Sequence, residues 1–83
     1  MVVKEAFQLT GDMNVLVFCG WNEYTLEAGD VLSDGIKEYI ITSFTPNPIS
    51  NTLSIYVNCE NFDPKELTGV ALSVNKPKLL NTA

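Results

Sequence analysis

Apolar side chains recur at every second position along most of this chain, and this alternation limits the folds open to it. The clearest case is the segment 53–59, in which Leu53, Ile55 and Val57 alternate with other side chains. Successive side chains of a β-strand point to opposite faces of a sheet, so such a segment has one inward and one outward face. A repeat of apolar residues spaced three or four positions apart, as in an amphipathic helix, is almost absent. The sequence therefore predicts an all-β protein.

Other segments show the same period or a continuous apolar run, and all of them predict strands. They lie at 3–10, 14–20, 37–45 and 69–75, with two shorter strands expected at 24–26 and 31–32. The segment 14–20 is apolar on both faces, as in a strand that is covered on both sides. Pro46 is expected to end the third long strand, because proline cannot donate a ladder hydrogen bond.

The residues between these segments are typical of turns. Gly11-Asp12 predicts a tight turn between the first two strands, since glycine adopts a positive φ without steric cost. A single helical turn is expected near 63–67, with Asp63 as its cap and Pro64 at the first helical position.

A chain this short has room for one domain, which we expect over 1–75, followed by a C-terminal tail over 76–83. We expect a small closed β-barrel of about six mostly antiparallel strands, because closure leaves no unpaired edge. The expected core consists of Phe7, Leu9, Val15, Val17, Leu32, Ile40, Phe44, Leu53, Ile55, Val57, Val70, Leu72 and Val74.

The charge of the chain excludes several classes of function. Ten acidic and five basic residues give a net charge of −5, all five bases are lysine, and histidine is absent. Without arginine the chain has no planar guanidinium to bind phosphate through two parallel hydrogen bonds. Without histidine it has no imidazole to act as a base or a metal ligand. Nucleic acid is therefore not expected as a ligand, and neither an enzyme activity nor a cofactor is expected.

An acidic cluster raises the question of a cation site. Glu23, Glu27, Asp30 and Asp34 fall close together in the sequence, but their spacing is not that of a calcium-binding loop. We expect turn residues here rather than metal ligands, because aspartate side chains mimic backbone groups in turns. Cation binding is the alternative interpretation.

The two cysteines lie far apart in the sequence. Cys19 and Cys59 each sit within an apolar run, and we expect both to be reduced and buried. A disulfide bridging two strands is the alternative.

Three aromatic residues lie at predicted strand ends or in loops, where a partner could contact them. They are Trp21, Tyr24 and Phe62, and we take them as the candidate binding residues. The alternative is packing, with Trp21 closing one end of the barrel. Tyr39 and Tyr56 fall on outward faces by alternation, where they pack across strands or belong to an oligomer contact.

Four segments follow one another in an order that is seen elsewhere. They read FQLTGDMNVLVFCG, LEAGDVLSDG, KEYIITSF and LTGVALSV. This order resembles the second-domain β-barrel of translation elongation factors such as elongation factor Tu. The resemblance implies a barrel that helps to hold the aminoacylated end of tRNA. The phosphate-binding loop of the preceding GTP-binding domain in that family has no counterpart in this chain.

A shorter stretch, AGDVL at residues 28–32, resembles a short sequence motif of the head-decoration proteins of tailed phages, which form trimers on a capsid. The beginning of the chain does not resemble a signal peptide and no apolar run is long enough to span a membrane, so a cytoplasmic protein is expected.

We expect a non-enzymatic protein-interaction module that binds a protein partner, a second copy of itself included. A translation-factor-like barrel that binds RNA and a phage capsid protein are the alternatives.

Overall fold

A computed structural model of the chain describes residues 1–9, 13–22 and 24–76. It has six strands and one short helix, which confirms the all-β class. They are β1 (Glu5–Gln8), β2 (Asn14–Cys19), β3 (Val31–Ser33), β4 (Glu38–Asn47), β5 (Thr52–Asn58), α1 (Pro64–Leu67) and β6 (Ser73–Asn75). The expected turn at Gly11-Asp12 and the tail beyond Lys76 lie outside the described residues, and residues 24–26 do not form the expected short strand.

The six strands form one antiparallel sheet in the order β1-β2-β5-β4-β3-β6. The longest ladders join β5 to β2 and to β4. At the two ends of the sheet, β6 is only three residues long and β1 only four. The strand number and the antiparallel pairing were predicted, but the sheet is open and the expected barrel is not confirmed.

Hydrogen bonds join the segment before β1 to the segment before β6. Val3 N donates to Val70 O at 2.9 Å, and Leu72 N donates to Met1 O at 2.6 Å. Val2 and Ala71 form an isolated antiparallel bridge between these two segments. Residues near the two outermost strands are therefore in direct contact, although the ladder does not continue through them.

The core lies on one face of the sheet. Its buried side chains are Val3, Leu16, Phe18, Leu26, Leu32, Tyr39, Ile41, Leu53, Ile55, Val57, Leu67 and Leu72. Val15 is also buried, but it lies outside this cluster, as its alternation with Leu16 requires. The segment 14–20 is thus covered on both faces near its beginning, as its composition predicted.

The inward face of β4 is the opposite of the one expected. Ile40 is 47% exposed, whereas Ile41 is 1% exposed and Tyr39 is buried as well. Both alternating sets of this strand are apolar, so the period alone does not choose between them. Pairing decides it, because Leu32 lies opposite Tyr39 and Val57 lies opposite Ile41.

A β-bulge at Thr42 then changes the phase of the strand. The register passes from Ile41 opposite Val57 to Ser43 opposite Tyr56, which leaves Thr42 as the extra residue. Its hydroxyl donates to Tyr56 O at 3.1 Å. Phe44 consequently lies on the same face as the core residue Ile55, yet it is exposed rather than buried.

The expected core positions of β1 are also wrong. Phe7 and Leu9 are exposed, whereas Ala6 packs against the core. The chain bends at Lys4, so the phase set by the buried Val3 does not continue into β1. Val17, Val70 and Val74, also expected in the core, are half-buried.

Two local predictions about proline have opposite outcomes. Pro46 does not end β4, which continues to Asn47 with Pro46 opposite Leu53. Proline is tolerated on an edge strand, and β3 pairs with β4 only as far as Ile40. The helical turn is confirmed: α1 begins at Pro64, and the carboxylate of Asp63 accepts a hydrogen bond from the backbone of Lys65.

Within the described part of the chain, no helix is long and apolar enough to cross a membrane.

Candidate functional site

The candidate residue Trp21 lies at the surface beside the turn that joins β4 to β5. Gly20 N donates to Asn51 O at 2.8 Å, and Trp21 follows directly. Its side chain is partly exposed. Of the three aromatic residues singled out from the sequence, it is the one that is left most accessible to a partner.

The other two candidates are half-buried and pack against the core. The ring of Phe62 meets the buried ring of Tyr39 edge-to-face, with 6.4 Å between centroids. Tyr24 also contacts the core cluster. Trp21 lies near the beginning of β5 and Phe62 beyond its end, so the length of β5, about 20 Å, lies between them. The three residues therefore do not form one site.

Asp30, from the acidic cluster, is a buried structural residue. Its carboxylate accepts hydrogen bonds from Lys76 Nζ at 2.8 Å and from Glu27 N at 2.9 Å. The hydrogen bond from Lys76 holds the pKa of Asp30 below its ordinary value, and it raises the pKa of Lys76. Gly29, with a φ of 97°, forms the turn that brings Asp30 to this position.

Asp34 also acts as a turn residue. Its carboxylate accepts hydrogen bonds from the backbone N–H groups of Ile36 and Lys37, both at 2.8 Å, and these lower its pKa. Glu23 lies outside the described residues. Among the residues that the structure describes, no group of three or more potential metal ligands comes together.

Both cysteines are unbonded thiols, but the expectation that both are buried is wrong. Cys19 is exposed, because it is the last residue of β2 and alternates with the buried Phe18. Cys59 is half-buried and its thiol donates to Glu60 O at 3.1 Å. Partial burial raises the pKa of the Cys59 thiol.

A shallow groove of about 610 Å³ lies beside the bulge of β4. Its lining residues are Met13, Asn14, Thr42, Ser43, Tyr56, Val57 and Asn58. The polar groups among them are amides and hydroxyls, which donate and accept hydrogen bonds without carrying charge. The groove is built by long-range pairing of β4 with β5, so no local sequence pattern predicts it.

The second half of β4 forms an edge of the sheet. Residues 43–47 pair with β5 on one side, whereas on the other side no strand in the described part of the chain pairs with them. We call residues 43–47 the β4 edge. An unpaired edge presents backbone N–H and C=O groups to any strand that comes alongside.

The ladder determines which backbone groups of the β4 edge point outward. Gly20 and Asn51 extend the register of the β2–β5 ladder by one pair, and Gly20 N donates to Asn51 O. Hydrogen-bonded pairs recur at every second position of an antiparallel ladder. The odd-numbered residues of β5 therefore direct their N–H and C=O groups toward β2. The even-numbered residues of β5 turn toward β4, where they meet Ser43, Thr45 and Asn47.

Phe44 and Pro46 alternate with these bonded residues. The N–H and C=O of Phe44 and the C=O of Pro46 therefore point away from β5. Pro46 itself has no N–H, so the outward donor of the β4 edge is that of Phe44.

The hairpin that carries this edge has no charged side chain after Glu38, the first residue of β4. Residues 39–59 contain no aspartate, glutamate, lysine or arginine, although the whole chain has fifteen such residues. Phe44 is 38% exposed and Ile49, in the turn, is 98% exposed. This uncharged run is a sequence signal for the surface, and the alternation of apolar residues does not reveal it.

No protein-family model matches the chain, and searches of curated proteins and of solved structures return no significant match. The resemblance to the second domain of elongation factors accordingly stays a prediction.

Proposed function

We propose that this protein is a non-enzymatic interaction module that binds a protein partner through the β4 edge. The observation that carries the proposal is an unpaired, uncharged stretch of edge strand that contains the exposed Phe44. Edge strands in soluble proteins are usually protected by charged side chains, by proline, by bulges or by covering elements. Here Pro46 and the bulge at Thr42 limit the edge on either side of Phe44, and residues 43–47 carry no charge.

The charge distribution supports a protein partner over a nucleic acid. The chain carries a net charge of −5, which repels a phosphate backbone. A polypeptide edge, by contrast, needs only hydrogen-bonding groups and apolar contacts, which the β4 edge offers.

The groove beside the bulge offers both hydrogen-bonding and apolar groups to a bound partner. Its described lining provides hydroxyls and amides together with Met13 and Val57.

Trp21 belongs to the proposed contact surface, because it lies beside the turn at the end of the β4 edge. Tyr24 and Phe62 are proposed as lesser contributors, since both already pack against the core. No cofactor takes part in the proposed function.

We also propose that the sheet closes as a small barrel. The hydrogen bonds that join Met1 to Leu72 and Val3 to Val70 support closure, because these residues precede the two outermost strands. Such closure would leave the β4 edge unpaired, since β4 extends beyond the end of β3.

The proposed function can be tested by site-specific photo-crosslinking in cells that produce the protein. Phe44 is replaced by p-benzoylphenylalanine, which preserves an aromatic ring at the β4 edge. Phe7, on β1, is the matched control, since its 37% exposure is close to that of Phe44. We expect protein adducts from position 44 and few or none from position 7. Equal yields at the two positions, or adducts with RNA in place of protein, would contradict the proposal.

The alternative of a translation-factor-like barrel has its own test. A titration of tRNA at increasing salt would show binding with a steep negative salt dependence if RNA were the ligand. We expect no measurable binding at physiological salt.

A further inference from the structure

We infer that the partner of the β4 edge is the β4 edge of a second copy of this chain, paired antiparallel about a two-fold axis through Phe44. This inference rests on the proposed function and identifies its partner. Residues 43–47 combine outward backbone groups, absence of charge and exposed side chains.

The backbone of Phe44 is complementary to itself. Its N–H and its C=O both point away from β5, so two copies placed antiparallel exchange two hydrogen bonds between one Phe44 and the other. A two-fold interface requires this kind of self-complementary surface. A residue that offered only a donor or only an acceptor could not pair with its own copy in this way.

The length of the contact is limited on both sides of Phe44. Pro46 supplies an acceptor but no donor, and Thr42 lies in the bulge where the strand changes phase. The shared ladder is therefore short. A contact of this size is typical of a weak, concentration-dependent dimer.

Residues 39–59 carry no charge, which allows the same surface of a second copy to come alongside. Two chains of net charge −5 repel each other, and the repulsion is least where uncharged surfaces meet. Residues 39–59 provide such a surface.

The exposed apolar groups are covered in the proposed pair. Phe44 of each copy lies directly opposite its equivalent, on the same face of the joined sheets. Aromatic pairs directly opposite each other across antiparallel strands are stabilising. Phe44 is 38% exposed in the single chain, and pairing would reduce this exposure.

Sedimentation velocity over a wide range of protein concentration tests this inference. We expect the weight-average mass to rise from 9.1 kDa toward twice that value with concentration. The variant Phe44→Lys places two positive charges face to face in the pair, and we expect it to remain monomeric throughout the range. The matched variant Phe7→Lys is expected to dimerise as the parent chain does.

Amide exchange locates the contact independently of the substitutions. The Phe44 amide is expected to be protected at high concentration and to exchange rapidly after dilution. Circular dichroism of Phe44→Lys should match that of the parent chain, since the side chain is exposed. This comparison separates lost pairing from lost folding.

Several outcomes would overturn the inference. A parent chain that is monomeric at every concentration contradicts it, as does a dimer that persists in Phe44→Lys. A trimer contradicts it too, since a two-fold contact joins two copies, and would favour the capsid-decoration alternative. If position 44 crosslinks to a different protein while the chain stays monomeric, self-pairing fails and the proposed function stands.

Discussion

At the scale of single residues, Asp30 shows how protein groups can hold a buried carboxylate in place. Its buried carboxylate is bonded by Lys76 and by the backbone of Glu27. Asp30 O also accepts a hydrogen bond from Ile41 N, next to the bulge of β4. The residue therefore links the turn before β3 to the strand that carries the β4 edge and to the end of β6.

The Asp30–Lys76 pair predicts a loss of stability in acid. The pKa of Asp30 is lowered in the folded chain, so its contribution to stability is present above the unfolded-state pKa near 3.8. That contribution is lost as the pH falls through the lower folded-state pKa. We expect the urea concentration at which half of the parent chain is unfolded to decrease when the pH is lowered below about 4.

The variant Asp30→Asn keeps the shape of the side chain and removes its titration. We expect it to be less stable than the parent chain at neutral pH and to show a smaller change on acidification. Asp34→Asn is the control for an exposed turn carboxylate whose pKa is also lowered. An acid slope that is the same in Asp30→Asn and in the parent chain would contradict this assignment.

Two neighbouring residues of β5 test the faces of that strand. Val57 is buried and Asn58 is exposed. Val57→Asp places an unpaired carboxylate in the core and is expected to cost about 3 kcal/mol or more, enough to unfold a domain of this size. Asn58→Asp is expected to change the free energy of unfolding by about 0.5 kcal/mol or less. Similar melting curves for both variants would show that the assigned faces are wrong.

At the scale of elements, alternation predicted where the strands lie better than which way they face. On β5 only one alternating set is strongly apolar, and its buried residues were predicted correctly. On β4 both sets are apolar, so Ile40 and Ile41 were equally good candidates for the core. The choice depends on the pairing of Ile41 with Val57, a long-range contact that is not visible in a local period.

The candidate site was less predictable than the fold. Aromatic residues at strand ends pointed to Trp21, but also to Phe62, whose ring turned out to pack on Tyr39. The β4 edge exists because β3 is much shorter than β4, and strand lengths follow from pairing rather than from composition. The uncharged run over 39–59 was the one local signal for it.

The reversed face of β4 predicts different costs for two adjacent isoleucines. Ile41→Ala removes a buried side chain and is expected to lower the free energy of unfolding by about 2–5 kcal/mol. Ile40→Ala acts on an exposed side chain and should cost less than about 1 kcal/mol. Chemical denaturation of both variants provides the comparison. A larger decrease in the free energy of unfolding for Ile40→Ala would show that Ile40, and not Ile41, faces the core.

At the scale of the whole molecule, the two ends of the described chain hold each other. The N-terminal ammonium and the backbone of Met1 both bond Leu72, and Val3 bonds Val70 and Gly69. These contacts connect segments at opposite ends of the strand order β1 to β6. A sheet of this size with two free outer edges would expose many unpaired backbone groups. The contacts between the ends are therefore expected to stabilise the entire sheet.

The neighbouring valines at the beginning of the chain test this role. Val3 is fully buried and Val2 is exposed, although both take part in the segment that meets residues 69–72. Val3→Ala is expected to lower the free energy of unfolding by about 1–3 kcal/mol and to speed amide exchange at Leu72, whose acceptor is Met1. Val2→Ala should leave both measurements nearly unchanged. If Val3→Ala destabilises the chain while the Leu72 amide keeps its protection, Val3 acts through the core alone and the two ends do not hold each other.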